Sequence, residues 1–177
     1  MEIENIKKTY QGKRVLLTGH TGFKGSWLLQ WLHILGADIM GFALVPAGKE
    51  DLYNLIEGDQ LCQSVTEDIR NKEAVKNVVL SFEPDFIFHL AAQPLVRLSY
   101  DAPAETFDIN AMGTAHVMDA LRFYQKPCVA VMITTDKVYE NKEIDYPYVE
   151  TDSLGGYDPY SASKACAELI IQSYTQS

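Results

Sequence analysis

The chain has 177 residues, of which 47% are apolar and 22% charged, and its formal net charge is -9. One domain of about that length buries roughly 70% of its unfolded surface, so disorder, collagen and coiled coil are excluded as whole-chain descriptions. The acidic balance argues against a nucleic-acid backbone binder, which needs a positive surface, and leaves open an anionic ligand held by N–H groups at a helix end.

Met1–Tyr10 is polar and mixed in charge, with no signal-peptide core, and no apolar run approaches the ~18 residues of a membrane span. A cytoplasmic location is expected. Lys13–Thr18 predicts a short buried strand, followed by a glycine-rich turn. Phe23, Trp27, Leu28, Trp31, Leu32 and Leu35 then recur at helical spacing, and Gly36 closes that helix. Asp38–Leu44 predicts a second strand, Pro46–Gly58 a loop with one helical turn, and Leu61–Val65 a third strand.

Asn71 is placed to cap a helix carrying Ala74, Val75, Val78, Val79 and Phe82. Pro84 precedes a strand at Asp85–Leu90, and one long helix is expected from Pro103 to Tyr124. Val129–Thr134 is the next strand, Tyr139–Tyr157 a loop, and a last helix starts near Pro159. Strands alternating with helices predict βαβ units and a parallel sheet. The strands are continuously apolar, as when helices cover both faces. The fold class is therefore α/β, a Rossmann-like doubly wound parallel sheet.

Four segments carry chemistry. Between the first strand and first helix, Gly19, Gly22 and Gly25 stand at G-x-x-G-x-x-G spacing, with Thr21, Phe23 and Lys24 between them. Glycines there allow a tight turn, close backbone approach to a pyrophosphate and close helix–strand packing, and the helix N-terminus offers N–H groups to phosphate. The second strand ends without the acid that would hold NAD ribose hydroxyls, since Asp38 is at its start, and also without a cation for a 2′-phosphate. NAD is mildly favoured over NADP and the ribose contact stays unassigned.

Asp68 and Ile69 follow the third strand, where a carboxylate can accept from an adenine amino group and an apolar side chain can pack on the ring. Leu90, Ala91, Ala92 and Gln93 follow the fourth, small enough to let backbone lie against a cofactor. Tyr160 and Lys164, at i and i+4, share a helix face after the fifth strand. Lysine charge there favours the phenolate and makes Tyr160 a usable acid/base. About 0.6 such Tyr-x-x-x-Lys pairs arise by chance in a chain of this composition, so position carries the argument. Thr135 would add a hydroxyl to a substrate oxygen.

Cys62, Cys128 and Cys166 form no CxxC pair, which predicts small buried core residues in a reducing compartment. His20, His33, His89 and His116 show no ligand spacing, so no metal site is expected.

GHTGFKGSWL (19–28), AAQPLVRLSY (91–100), TFDINAMGT (106–114), TTDKVYEN (134–141) and DPYSASKACAE (158–168) together resemble the extended short-chain dehydrogenase/reductases. They are most similar to the nucleotide-sugar epimerase/dehydratase group, in its branch acting on CDP-glucose. The resemblance implies NAD as a bound catalytic cofactor, a nucleotide-sugar substrate, no nucleic acid or membrane partner, and a homodimer through helices near 103–124 and 159–177. It implies that Tyr160 takes a proton from the sugar 4-hydroxyl, that Thr135 binds the same oxygen, and that Lys164 holds the nicotinamide ribose. Asp136 would be the acid for the departing 6-hydroxyl, and Lys137 stands where related enzymes carry a glutamate base. Asn110 matches an active-site asparagine of the superfamily. Family members run to roughly twice this length. Residues 1–177 are therefore expected to be the NAD-binding N-terminal half of a longer enzyme, without the region that grips the sugar. Two further readings stand beside the dehydratase: a 4-epimerase, which would not need Asp136 and Lys137, and a dinucleotide-binding module without turnover.

Overall fold

The computed structural model describes residues 3–143 and 145–177, so the readings at Met1, Glu2 and Ile144 lie outside it. Five parallel strands form one sheet in the order β3-β2-β1-β4-β5: β1 Arg14–Thr18, β2 Asp38–Ala43, β3 Gln63–Thr66, β4 Phe86–His89 and β5 Val129–Met132. β1 is central, and its alternate residues serve two cores. Leu16 faces Val75, Val79 and Val117 on α4 (Lys72–Phe82) and α7 (Gly113–Arg122). Val15 and Leu17 face Leu29 and Leu32 on α2 (Phe23–Ile34). Helices on both faces explain the unbroken apolar runs of β1 and β4.

After β3 the chain crosses back over β1 to form β4. The reversal leaves a crevice beyond the carboxyl ends of β1 and β4, the place where open α/β sheets bind ligands.

Several elements depart from expectation. The N-terminal segment is a helix, α1 (Ile3–Tyr10), held by Tyr10 against the rings of Phe86 and Phe88, with centroids 5.0 and 6.1 Å away. The one helical turn expected after β2 is α3 (Leu52–Leu55). An unexpected helix, α5 (Val96–Asp101), precedes α6 (Pro103–Phe107). The long helix expected over 103–124 is α6 and α7 joined by a π turn at Asp108–Met112. The last helix is α8 (Pro159–Gln176), capped by Asp158 accepting from the Ser161 N–H at 2.9 Å.

α2 is rotated from the face its aromatic residues suggest. Phe23, Trp27 and Trp31 are 73%, 52% and 56% exposed, while Gly25, Ser26, Leu29 and Leu32 are buried. The cause is local. The glycine loop needs Gly25 against Gly19, and Ser26 Oγ donates to the carbonyls of Gly22 and His20, so the small residues fix the inward face. β5 also departs from a strand covered on both faces, because Val129 and Val131 are exposed. The three cysteines are free and half-buried rather than fully buried. Among the described residues, no helix is long and apolar enough to cross a membrane, and no cluster of His, Cys, Asp or Glu could hold a metal ion.

Candidate active site

The glycine loop is built by steric necessity. Gly19 has φ +72°, in the left-handed region, and a Cβ there would stand 2.7 Å from the Ala91 nitrogen. A Cβ on Gly25 would stand 2.0 Å from the Gly19 carbonyl oxygen. The loop therefore lies flush against both the turn after β4 and the first turn of α2. Gly22 caps α2 without a side-chain acceptor, which leaves the first-turn N–H groups free at the cavity wall.

That wall belongs to a cavity of about 690 Å³ at the switch point of the sheet. Gly19, Thr21, Gly22, Phe23, Lys24 and Gly25 line one end. Asp68 and Ile69 after β3, Leu90, Ala91 and Ala92 after β4, and Tyr160 and Lys164 on α8 complete the residues foreseen from sequence. Sequence reasoning missed the stretch past β2, Leu44–Ala47, together with Asp51, which also line it. Asp51, in the loop after β2, brings a carboxylate to the cavity, and its Oδ2 accepts from the Gly48 N–H at 2.9 Å.

Asp68 is committed to a neighbour. Its Oδ1 accepts from the backbone N–H and Nε of Arg70, at 2.8 and 3.1 Å, and its Oδ2 accepts from Nη2 at 2.7 Å. The guanidinium holds the Asp68 carboxyl below the usual carboxylate range. Arg70 also reaches Glu105 on α6 at 3.1 Å, so an ion-pair bridge spans this end of the cavity.

Gln93 and Asn110, expected at the cofactor, do not line the cavity. Asn110 is fully buried. Its Oδ1 accepts from the Gln93 N–H at 2.8 Å, and its Nδ2 donates to the Gln93 carbonyl at 3.1 Å and to Ser163 Oγ at 2.9 Å. The Gln93 side chain turns to Thr106 and Leu95.

A buried hydrogen-bond chain fixes the turn after β4. Thr18 Oγ1 accepts from the Leu90 and Ala91 N–H groups, each at 3.1 Å, and pairs with His89 Nδ1 at 2.8 Å. His89 Nε2 meets Thr114 Oγ1 at 3.2 Å. Thr114 spends its only proton on the Asn110 carbonyl at 2.7 Å, so His89 must donate from Nε2 and accept at Nδ1. The ring is neutral: burial and the nearby Lys164 charge pull its pKa down to about 3. His20, inside the glycine loop, is likewise buried, with Nε2 2.8 Å from Ser64 Oγ and its pKa pulled down to about 4 by desolvation. Its ring occupies the space a side chain at Gly41 would need.

Lys164 is buried, and its Nζ donates to the Ile133 carbonyl at 3.1 Å. Burial pulls the ammonium down to about 8, while Glu168 pushes it up. Ser163 Oγ donates to the Tyr160 carbonyl at 2.7 Å, tying the Asn110 network to the backbone that carries Tyr160.

Thr135, Asp136 and Lys137 do not line this cavity, although Thr134 does. Asp136 and Lys137 line a second hollow of about 570 Å³ with Tyr139, Tyr148, Tyr157 and Ser161. Thr135 lines neither hollow; it caps a short 3-10 turn, and its hydroxyl donates to Asp136 Oδ1 at 3.0 Å.

A glycine loop, a small-residue turn and a Tyr-x-x-x-Lys helix around the switch point of a parallel sheet define a Rossmann-like doubly wound α/β domain. The chain belongs to the GDP-mannose 4,6 dehydratase family, whose model matches residues 16–177. It is 46% identical to CDP-glucose 4,6-dehydratase of Salmonella typhimurium over 171 residues, covering 97% of this chain and 48% of that protein. It is 31% identical to human dTDP-D-glucose 4,6-dehydratase over 168 residues, covering 92% of this chain and 47% of that one. Among solved structures, DesIV, a dTDP-glucose 4,6-dehydratase of Streptomyces venezuelae crystallised with NAD and TYD, matches with a TM-score of 0.79 and 26% identity, over 93% of this chain and 52% of that one. The chain spans about half the length of the curated relatives it matches.

Proposed function

We propose that residues 1–177 form the NAD-binding, proton-handling half of a nucleotide-sugar 4,6-dehydratase acting on CDP-glucose. The observation that carries it is the meeting, in one cavity, of a glycine loop that admits no side chains and the Tyr160/Lys164 pair. The residues present fit a dinucleotide. A side chain at Gly19 or Gly25 has no room, the free N–H groups of α2 suit a pyrophosphate, and Ile69 and Ala91 offer flat apolar walls. NAD, when bound there, would supply a hydride acceptor and, in its reduced form, a hydride donor.

The chain's own residues handle protons and position. Lys164 presents a charge beside Tyr160, whose phenolate takes the proton of the sugar 4-hydroxyl as the ketone forms. Thr135 would offer its hydroxyl to the same oxygen by giving up its bond to Asp136 Oδ1. The ketone acidifies the C5 hydrogen; Asp136 would give a proton to the departing 6-hydroxyl, which leaves as water, and Lys137 stands where related enzymes carry the glutamate base for the C5 proton. Asp68 and Ile69 would meet the adenine end, while Asn110 holds the Gln93 backbone after β4 from behind. A homodimer through α6–α7 and α8 belongs to this reading, supported by exposed Met112 in the π turn and exposed Leu169 on α8. Light scattering that finds only monomer would remove that part. A cytoplasmic location belongs to it too, supported by three free cysteines.

A mass spectrum of CDP-glucose after incubation with the chain and NAD⁺ tests the reading. Loss of one water supports it. Unchanged mass, with NAD binding shown in the same sample, confines the chain to cofactor binding. A 4-epimerase is the second reading. Epimerisation needs only Tyr160 and Lys164, which line the first cavity, whereas Asp136 and Lys137 line the second hollow. Its product would match the substrate in mass but differ by NMR at C4.

A further inference from the structure

One acidic residue beside the Tyr160/Lys164 pair has no part in the chemistry above. Glu168 lies one helical turn beyond Lys164, on the same face of α8. The Thr134 hydroxyl donates to Glu168 Oε1, and the Lys164 ammonium donates to the carbonyl of Ile133 at 3.1 Å. Ile133 and Thr134 are consecutive residues just past β5, so α8 holds the strand end by two adjacent rungs, one cationic and one anionic. Ile133, Thr134, Tyr160 and Lys164 all line the cavity, while Glu168 stands behind them.

We propose that Glu168 is a positioning residue, fixing the end of β5 through Thr134 and setting its carboxylate one helical turn from the Lys164 ammonium, behind the catalytic end of the cavity. The assignment rests on the reading of Lys164 as the partner of Tyr160. The physical need is plain. A buried ammonium is costly without a counter-charge, and a carbonyl dipole supplies only part of one. The titratable groups that face Lys164 are His89 on β4 and Tyr160 and Glu168 on α8. His89 is held neutral by its hydrogen bonds, and Glu168 is the carboxylate of that set.

The test separates charge from tethering. Glu168→Gln keeps an acceptor for Thr134 and loses the charge, Glu168→Asp keeps the charge, and Thr134→Val loses the tether alone. Lys164 is followed by NMR of lysine labelled with ¹³C at Cε, assigned by Lys164→Arg, in the ligand-free chain. The titration midpoint of Lys164 is expected to fall by about one pH unit in Glu168→Gln, a tenfold easier deprotonation. It is expected to recover in Glu168→Asp and to hold in Thr134→Val. A midpoint unmoved in Glu168→Gln, or moved equally in Thr134→Val, overturns the proposal. NAD binding by the wild-type chain is measured separately by calorimetry. Its absence would sink the cofactor reading while leaving the Lys164 midpoint to decide the role of Glu168.

Discussion

Asn110 and Ser163, 53 residues apart in sequence, meet at 2.9 Å in the buried interior. One amide thus joins three segments: the turn at Gln93, the π turn that carries Asn110, and the helix that carries Tyr160. Asn110→Ala would strand the Gln93 N–H and carbonyl away from water. A loss of about 2–4 kcal/mol is expected by urea unfolding. With Ser163→Ala, a double-mutant cycle should give a coupling of about 0.5–3 kcal/mol. Additive losses would show that the contact carries no energy of its own.

Gly25→Ala places a methyl group 2.0 Å from the Gly19 carbonyl, backbone against backbone. It should cost about 1–3 kcal/mol and lower NAD affinity, as read by thermal melting and calorimetry. Gly48→Ala is the control: nothing lies within 4 Å of a Cβ there, so stability and binding should both hold.

Acid should unfold this domain through its buried histidines. The pKa values of His20 and His89 lie near 4 and 3 in the fold, against 6.5 for an ordinary imidazole. Below pH 6.5 the unfolded chain takes up protons that the folded chain refuses, so stability falls as pH drops through that window toward the folded values. A loss of a few kcal/mol in urea-unfolding free energy is expected between about pH 6.5 and about pH 4. The ring resonances of both residues should stay flat down to about pH 5. A titration of either ring near pH 6.5 would contradict the buried, neutral assignment.

Lys164 gives a dependence at the other end of the scale. Its folded pKa is lowered to about 8, below the ordinary 10.5. Between those values the unfolded chain again holds the extra proton, so this group makes the domain more stable as pH rises from 8 toward 10.5. Lys164→Met should flatten that rise in urea-unfolding free energy. A rise equally steep in the variant would assign it to other groups.

Tyr160→Phe keeps the ring that lines the cavity and deletes its hydroxyl. NAD affinity should change by less than about threefold, while water loss from CDP-glucose falls by about 10²–10⁴-fold. Unchanged turnover would refute the assigned role.

What sequence showed and what it hid divide along a physical line. Gly19–Gly25, the Asn71 cap and the Tyr160/Lys164 pair are local patterns, and each occupies the element expected of it. The central strands were legible because both their faces are buried. The turned face of α2 was not. Its aromatic residues dominate any apolar pattern, whereas the packing is decided by Gly25 and Ser26. α1 left only a faint trace, Ile6 and Tyr10 one turn apart. The inward role of Asn110, the place of Asp51 at the cavity and the Thr134–Glu168 rung depend on segments that meet only after folding. Spacing along the chain carries no record of them.

The π turn at Asp108–Met112 has a consequence for how this segment tolerates change in length. A wide turn holds one residue more than an α-helical turn of the same rise, and that surplus lets Asn110 face inward. Deleting one residue there would restore α-helical geometry and leave α7 in its present phase, so Val117 and Ala120 would keep their places in the core against α4. What the deletion would remove is the widening that turns Asn110 inward to Gln93 and Ser163. The surplus residue is thus spent on one buried amide, and the helix beyond it does not depend on that residue for its register.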